Sequence, residues 1–310
     1  MYYNNNTVIY QNGRFVKAVD AGGNLYDQSL HYGFAAIEGL RAYPVGEGTQ
    51  IFKVKEHYDR MQYSCEAIGI PYPYENKEII DLSYELLERN GFRDAYLRPV
   101  VTCTPNMSLS KGRESQLVIL AWEWGAYMGD KLLRLKVSRF RRISPASFVV
   151  TAKISGHYVN SILATQEAKD AGYDEALLLD VDGYIAEGAG ANFFYENNNI
   201  LYTPQLGSIL PGITRATVFE LAEEVGIEVM EKQIRPSEVF GSDSAFFCGT
   251  AAEIIGIESL DDHLFEKPWE KSLGAVLQKK YRERVREIDD RDRSASKTKK
   301  SKNEKQEASY

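Results

Sequence analysis

Apolar and polar positions along this chain alternate in short β-like runs broken by longer stretches of helical period. Val8-Ile9-Tyr10 and Arg14-Phe15-Val16 flank Asn12-Gly13, a dipeptide that between such runs predicts a hairpin. From Lys53 to Gly69 the period lengthens, with Met61, Cys65 and Ile68 at i, i+4 and i+7, the spacing of a helix face. Ile79 to Asn90 repeats that pattern and Gly91 closes it. Ala95 to Thr102 and Gln116 to Trp122 return to strand character. Glycine then punctuates the chain around Gly125 to Lys131. The pattern divides the protein into a small N-terminal α/β domain (1–122), a connector (123–133) and a larger C-terminal domain (134–288).

In the second half, strands are expected at Leu135 to Ser138 and Phe148 to Ala152, and a helix from Ser161 to its stop at Gly172. Ala176 to Leu179 is an apolar strand, and Asp182-Gly183 turns the chain into Tyr184-Ile185-Ala186-Glu187. Asn197 to Asn199 marks a second hairpin. Leu210-Pro211-Gly212-Ile213-Thr214-Arg215 opens a helix with Thr214 as its expected N-cap, a stripe of Val218, Leu221, Ala222 and Val225, and Gly226 as its end. Beyond Asp289 apolar residues nearly vanish, which predicts a disordered tail over 289–310.

Composition narrows the class. The 310 residues carry a net charge of -7, which argues against a nucleic-acid surface. No apolar run reaches membrane-spanning length, and Met1 to Asn6 lacks the features of a signal peptide, so a cytoplasmic protein is expected. Cys65, Cys103 and Cys248 show no CxxC spacing, and the four histidines no HxxxH pair, so no metal is expected.

Candidate chemistry centres on Lys153, which follows the apolar run Phe148-Val149-Val150 and precedes Ser155-Gly156-His157-Tyr158. A lysine so placed either snorkels to water or is desolvated, and desolvation favours the amine that attacks aldehydes. Other segments carry matching residue types. The helix opening at Gly212 offers backbone N–H groups to a phosphate, or is an ordinary capped helix. Glu187, before Gly188-Ala189-Gly190, suits a protonated ring nitrogen, or sits at a wet turn. Phe193 stands where a dinucleotide loop needs its third glycine. Gly249-Thr250-Ala251-Ala252 is an anion-binding turn or a plain loop. Tyr96 and Arg98 share a strand face, and Arg60 on its helix has a solvated-face alternative.

In their order these segments resemble the fold-type IV pyridoxal-phosphate enzymes, most closely the branched-chain amino-acid aminotransferases. The likeness runs from about Asn12 to Asp261. His31-Tyr32-Gly33, Glu38-Gly39-Leu40-Arg41, Glu56-His57-Tyr58-Asp59-Arg60, Tyr96-Leu97-Arg98-Pro99, Trp124-Gly125-Ala126-Tyr127, Ala152-Lys153, Glu187 to Gly190, Leu210 to Arg215 and Gly249 to Glu253 carry it. The resemblance implies two α/β domains with pyridoxal 5'-phosphate in the cleft between them. Lys153 would bond to the aldehyde and shuttle the proton between substrate and cofactor. Arg60, the amides of Ile213 and Thr214, and Thr250 would hold the phosphate. Glu187 would meet the pyridine nitrogen, Tyr158 the ring hydroxyl and Leu210 the ring face. Tyr96 and the Thr250-Ala251 turn would bind the substrate α-carboxylate, and Arg98 the distal carboxylate of glutamate. Tyr32, Gly39, Trp124 and Tyr127 would complete the substrate pocket. The Tyr32 segment would reach a partner's site, which implies a homodimer or a higher oligomer.

The reaction so implied is ping-pong transfer of an amino group between Leu, Ile or Val and 2-oxoglutarate. Alternatives within the fold are a D-amino-acid or (R)-amine transaminase and an aminodeoxychorismate lyase. The chain departs from the family pattern at Ile37, His157, Ala191 and Thr104 to Leu109, which bears on pocket shape.

Overall fold

The computed structural model describes residues 2–124 and 131–288. Tyr127, most of the connector and the charged tail lie outside the described residues. The chain divides into two compact units, Met1–Gly125 with Val285–Tyr310, and Ala126–Arg284.

The first unit contains β1 (Val8–Gln11), β2 (Arg14–Lys17), α1 (Gln28–Tyr32), β3 (Ala35–Ile37), β4 (Leu40–Val45), β5 (Gly48–Ile51), α2 (Val54–Ile68), α3 (Asn76–Asn90), β6 (Ala95–Cys103) and β7 (Ser115–Glu123). Its antiparallel sheet runs β2-β1-β7-β6-β4-β5, with β3 also on β6. Asn12 and Gly13 both take positive φ, as the two-residue hairpin requires. Met61 and Cys65 are buried, as the helical period predicts, and Gly69 and Gly91 end α2 and α3 in the left-handed conformation. The β6–β7 register sets Tyr96 opposite Trp122 and Arg98 opposite Leu120, so all four project from one sheet face.

The second unit contains β8 (Leu133–Arg141), α4 (Tyr158–Asp170), β9 (Glu175–Leu179), β10 (Ile185–Gly188), β11 (Asn192–Asn197), β12 (Ile200–Pro204), α5 (Ile213–Val225), β13 (Val229–Lys232), α6 (Pro236–Val239), β14 (Ser244–Gly249), β15 (Glu253–Leu260), β16 (His263–Leu264) and α7 (Leu273–Arg284). The sheet order is β10-β9-β8-β15-β14-β11-β12-β13, with β16 on β15. α4 connects the parallel pair β8–β9, and α5 the parallel pair β12–β13. Ala164 and Ala168 of α4 pack with Ala176 and Leu178 of β9, small side chains allowing the helix close to the sheet. A second cluster, including Leu135, Leu177, Phe193, Phe247 and Ile257, fills the core.

Two expectations are corrected. Phe148 to Ala152 is a turn-rich segment, not a strand. Ser144 O accepts from the amides of Ser147 and Phe148, and Ala152 N donates to Val149 O. The reason is positional: both edges of β8 are taken, by β9 and β15, so the segment finds no ladder there. Its apolar residues divide by depth instead, with Val150 and Ala152 buried and Phe148 52% exposed. Likewise Gly212, not Thr214, is the N-cap of α5. Among the described residues no helix is long and apolar enough to cross a membrane.

Candidate active site

Within the second unit, Lys153 ends the turn segment and a single 3₁₀ turn, Ser155–His157, leads into α4, whose first residue is Tyr158. That short path brings the two side chains together, and Lys153 Nζ donates to Tyr158 Oη at 2.8 Å.

Glu187 lies on β10 with 5% of its surface exposed. A register shift against β9 accompanies its placement, and Gly188 makes room behind it, since a Cβ there would stand 2.7 Å from the Phe247 ring. Three donors converge on the carboxylate: Arg142 Nε at 2.6 Å on Oε1, and Asn192 Nδ2 at 3.1 Å and Leu210 N at 3.2 Å on Oε2. Burial pushes the Glu187 carboxyl up; the Arg142 charge and hydrogen bond, the Leu210 amide and the Lys153 charge pull against it, leaving it above its ordinary value. Sequence reading missed Arg142. It follows two other basic residues at the end of β8, and nothing local distinguishes the one that turns inward.

Asn192 ties the acid to the start of α5, because its Nδ2 also donates to Leu210 O at 3.0 Å. A Cβ on Gly212 would collide with Asn192 Oδ1, so glycine is what lets the helix start approach. No side chain caps this terminus, which leaves the first-turn amides to other partners. Thr214 is buried there. Arg215 belongs to the scaffold, since its Nη2 donates to Pro204 O at 3.1 Å and pairs with Glu231. The Thr250-Ala251 turn joins β14 to β15, whose pairing ends with Gly249 opposite Glu253. It rests on the loop after Glu187, a Cβ on Gly249 falling 3.3 Å from Gly190 O. The structure therefore links Glu187, Leu210 and the Ile213-Thr214 helix start through direct bonds and close approach. Lys153 reaches Glu187 by its charge.

His157 is buried against the Phe148 ring edge at 5.0 Å, and burial, then the Arg142 charge, push its pKa down to about 4.

In the first unit Glu38 is fully buried between two partners. Arg60 Nε and Nη2 reach its two oxygens at 2.6 and 2.9 Å, and His57 Nδ1 lies 2.8 Å from Oε2. Burial pushes the carboxyl up, but the Arg60 charge and the His57 contacts prevail and hold it well below the usual carboxylate range. The solvated-face alternative for Arg60 is excluded, because only 12% of its side chain is exposed.

Tyr96, Arg98, Gly39 and Trp124 also meet. Arg98 Nη2 donates to Tyr96 Oη at 3.1 Å, and a Cβ on Gly39 would collide with that phenol oxygen. The rings of Tyr96, Trp122 and Trp124 form a triangle, with centroids 5.1 Å apart from Tyr96 to each tryptophan and 5.6 Å between the tryptophans. Trp122 was missed from sequence, although its i−2 spacing from Trp124 was the available signal. Tyr32 stands with another segment, its Oη donating to Met107 O at 3.1 Å. Among the described residues no His, Cys, Asp or Glu cluster could hold a metal ion.

Comparison with known proteins is specific. Residues 35–260 match the family Amino-transferase class IV. The branched-chain-amino-acid aminotransferase of Pseudomonas aeruginosa is 40% identical over 260 residues, covering 82% of this chain and 85% of that protein. The crystal structure of the Thermoproteus uzoniensis branched-chain aminotransferase with norvaline superposes with a TM-score of 0.87 at 36% identity, covering 90% of this chain and 94% of that one. The Thermobaculum terrenum branched-chain amino acid aminotransferase, solved in its PLP-form, gives a TM-score of 0.86 at 32% identity, covering 93% of this chain and 97% of that one. With a buried acid, a lysine–tyrosine pair and a glycine-opened helix end in one unit, and with these matches over most of its length, the chain belongs to the class IV aminotransferases and shares their fold-type IV architecture.

Proposed function

We propose that the protein is a pyridoxal-phosphate-dependent aminotransferase that moves the amino group between branched-chain L-amino acids and 2-oxoglutarate. The observation that carries this reading is the Lys153 amine, 2.8 Å from the Tyr158 phenol in the unit that also buries the acid Glu187. The residues fit the cofactor at each of its ends. An amine is present for the aldehyde, a buried carboxylate for the ring nitrogen, and an uncapped helix start cleared by Gly212 for the phosphate. When bound, pyridoxal phosphate supplies an electrophilic carbon and a sink for charge leaving the substrate Cα.

The protein's own groups do the rest. Lys153 would hold and move the proton taken from the substrate Cα, and Tyr158 would orient its amine and sit beside the ring hydroxyl. Glu187 would hold the ring nitrogen, and Leu210 would pack on the ring face. The Ile213 and Thr214 amides with Thr250 bind phosphate, and Arg60 adds a guanidinium whose plane Glu38 fixes. Tyr96 and the Thr250-Ala251 turn take the α-carboxylate, Arg98 the distal carboxylate of glutamate, and Tyr32, Gly39, Trp124 and Tyr127 shape the side-chain pocket. An apolar wall edged by one guanidinium accepts both a branched chain and a glutamate chain, as ping-pong exchange demands.

The same proposal makes the protein a cytoplasmic homodimer or higher homo-oligomer, with 1–122 and 134–288 as domains joined by 123–133. Exposed apolar side chains at Phe148, Val159 and Ile162 support association with a second copy. The test is a half-reaction screen, with single amino acids added to cofactor-loaded protein and the cofactor absorbance followed. L-leucine, L-isoleucine and L-valine should change it, and 2-oxoglutarate should reverse the change. Response to D-amino acids or (R)-amines alone would overturn the assignment in favour of those relatives.

A further inference from the structure

We infer that Arg142 is a positioning residue that keeps Glu187 an anion, so that a proton shared between this acid and the cofactor ring resides on the ring nitrogen. The inference rests on the proposed pairing of Glu187 with that nitrogen, and it adds a residue to which the resemblance gave no role. Arg142 follows β8, donates its backbone N–H to Leu179 O at 2.8 Å, and sends Nε to Glu187 Oε1 at 2.6 Å. The two side chains are 10% and 6% exposed. Among the described residues, the other groups that act on Glu187 include the Asn192 amide from β11, the Leu210 N–H and the Lys153 amine. Neither the amide nor the N–H carries charge, and Lys153 acts on Glu187 through its charge whereas Arg142 also bonds the carboxylate directly, at 2.6 Å. Near Arg142 stands His157, which is neutral at neutral pH because its pKa is pushed down to about 4.

Arg142 is therefore the bonded cation that most opposes the effect of burial on Glu187. It is held at a cost, since its Nη1 is buried and has no hydrogen-bond partner among the described residues. A scaffold role alone would be served better by an apolar side chain of similar volume. With Arg142 present, charge on Glu187 is stabilised and the single shared proton stays on the ring. Without it, burial meets less opposition, chiefly the Asn192 and Leu210 hydrogen bonds and the Lys153 charge, and the proton moves from ring nitrogen to carboxylate, with no other bond changed. A ring that loses this proton is a poorer sink for charge from the substrate.

The experiment loads full-length protein with pyridoxal phosphate isotope-labelled at the ring nitrogen and reads that nitrogen by NMR at neutral pH. Arg142→Gln should move the signal from the protonated toward the neutral pyridine position, and Arg142→Lys should restore it. Glu187→Gln should move it in the same direction. Infrared spectra of the cofactor-free chain give a second reading. Arg142→Gln should gain a protonated-carboxyl band that the Arg142→Gln, Glu187→Gln double variant lacks. An unmoved nitrogen signal in Arg142→Gln, with Glu187→Gln shifted, would overturn the inference while leaving the pairing intact. An unmoved signal in Glu187→Gln would remove the pairing itself. Should Arg142→Gln fail to retain cofactor, the infrared band decides alone: its presence supports the inference and its absence sinks it.

Discussion

The phenol oxygen of Tyr158 accepts a hydrogen bond from the amine of Lys153 at 2.8 Å, across only five positions of chain. One 3₁₀ turn feeding directly into α4 makes that contact, so Tyr158 is carried on a helix rather than on a loop. Tyr158→Phe keeps the ring and removes only the hydroxyl. A hydrogen bond to a charged group contributes about 1.5–3 kcal/mol, so kcat should fall roughly 10- to 100-fold with little change in KM. Steady-state kinetics with L-leucine check this. An unchanged kcat would show the hydroxyl to be a bystander.

Gly212→Ala places a methyl group against Asn192 Oδ1. Asn192 cannot simply swing away, because its Nδ2 bridges Glu187 and Leu210. The substitution should cost about 1–3 kcal/mol of stability by overpacking. It should also weaken cofactor retention on the order of tenfold as the helix start shifts. Urea denaturation and cofactor titration read the two effects separately.

Glu38→Gln removes the charge that Arg60 and His57 share in the first unit. Breaking a buried ion pair from one side is expensive, about 3–5 kcal/mol, because the remaining guanidinium keeps its desolvation without its partner. A fall of that size in unfolding free energy is expected. A loss below about 1 kcal/mol, as for an exposed pair, would contradict the buried geometry.

His157 has a folded-state pKa of about 4 against an ordinary value of 6.5. The unfolded chain therefore takes up a proton on this ring as pH falls through 6.5, while the folded protein does so only near 4. The stability held by the neutral ring is full above the upper value and is lost progressively between the two. His157→Asn should flatten this part of the stability–pH profile relative to the parent protein. Parallel profiles for the two proteins between these pH values would refute the assignment.

Local chain chemistry by itself determined the hairpins at Asn12-Gly13 and Asn198-Asn199, the glycine ends of α2, α3 and α5, and the strands β6, β7, β8 and β9. These features depend on φ preferences and on side-chain periods that neighbours in sequence impose. Lys153, Glu187 and the Gly212 helix start were legible for the same reason, since each sits where a run of local pattern ends. Tertiary structure alone decided the rest. Phe148 to Ala152 has strand composition but became a turn because β8 had no edge left to pair. Arg142 is one of three similar arginines, and it became the buried one through a carboxylate 45 positions away. Arg60 kept a solvated-face alternative in the sequence, which Glu38, 22 positions earlier, removes by closing on it. Burial of a charge depends on which distant partner arrives to compensate it, and no window of neighbouring residues contains that information.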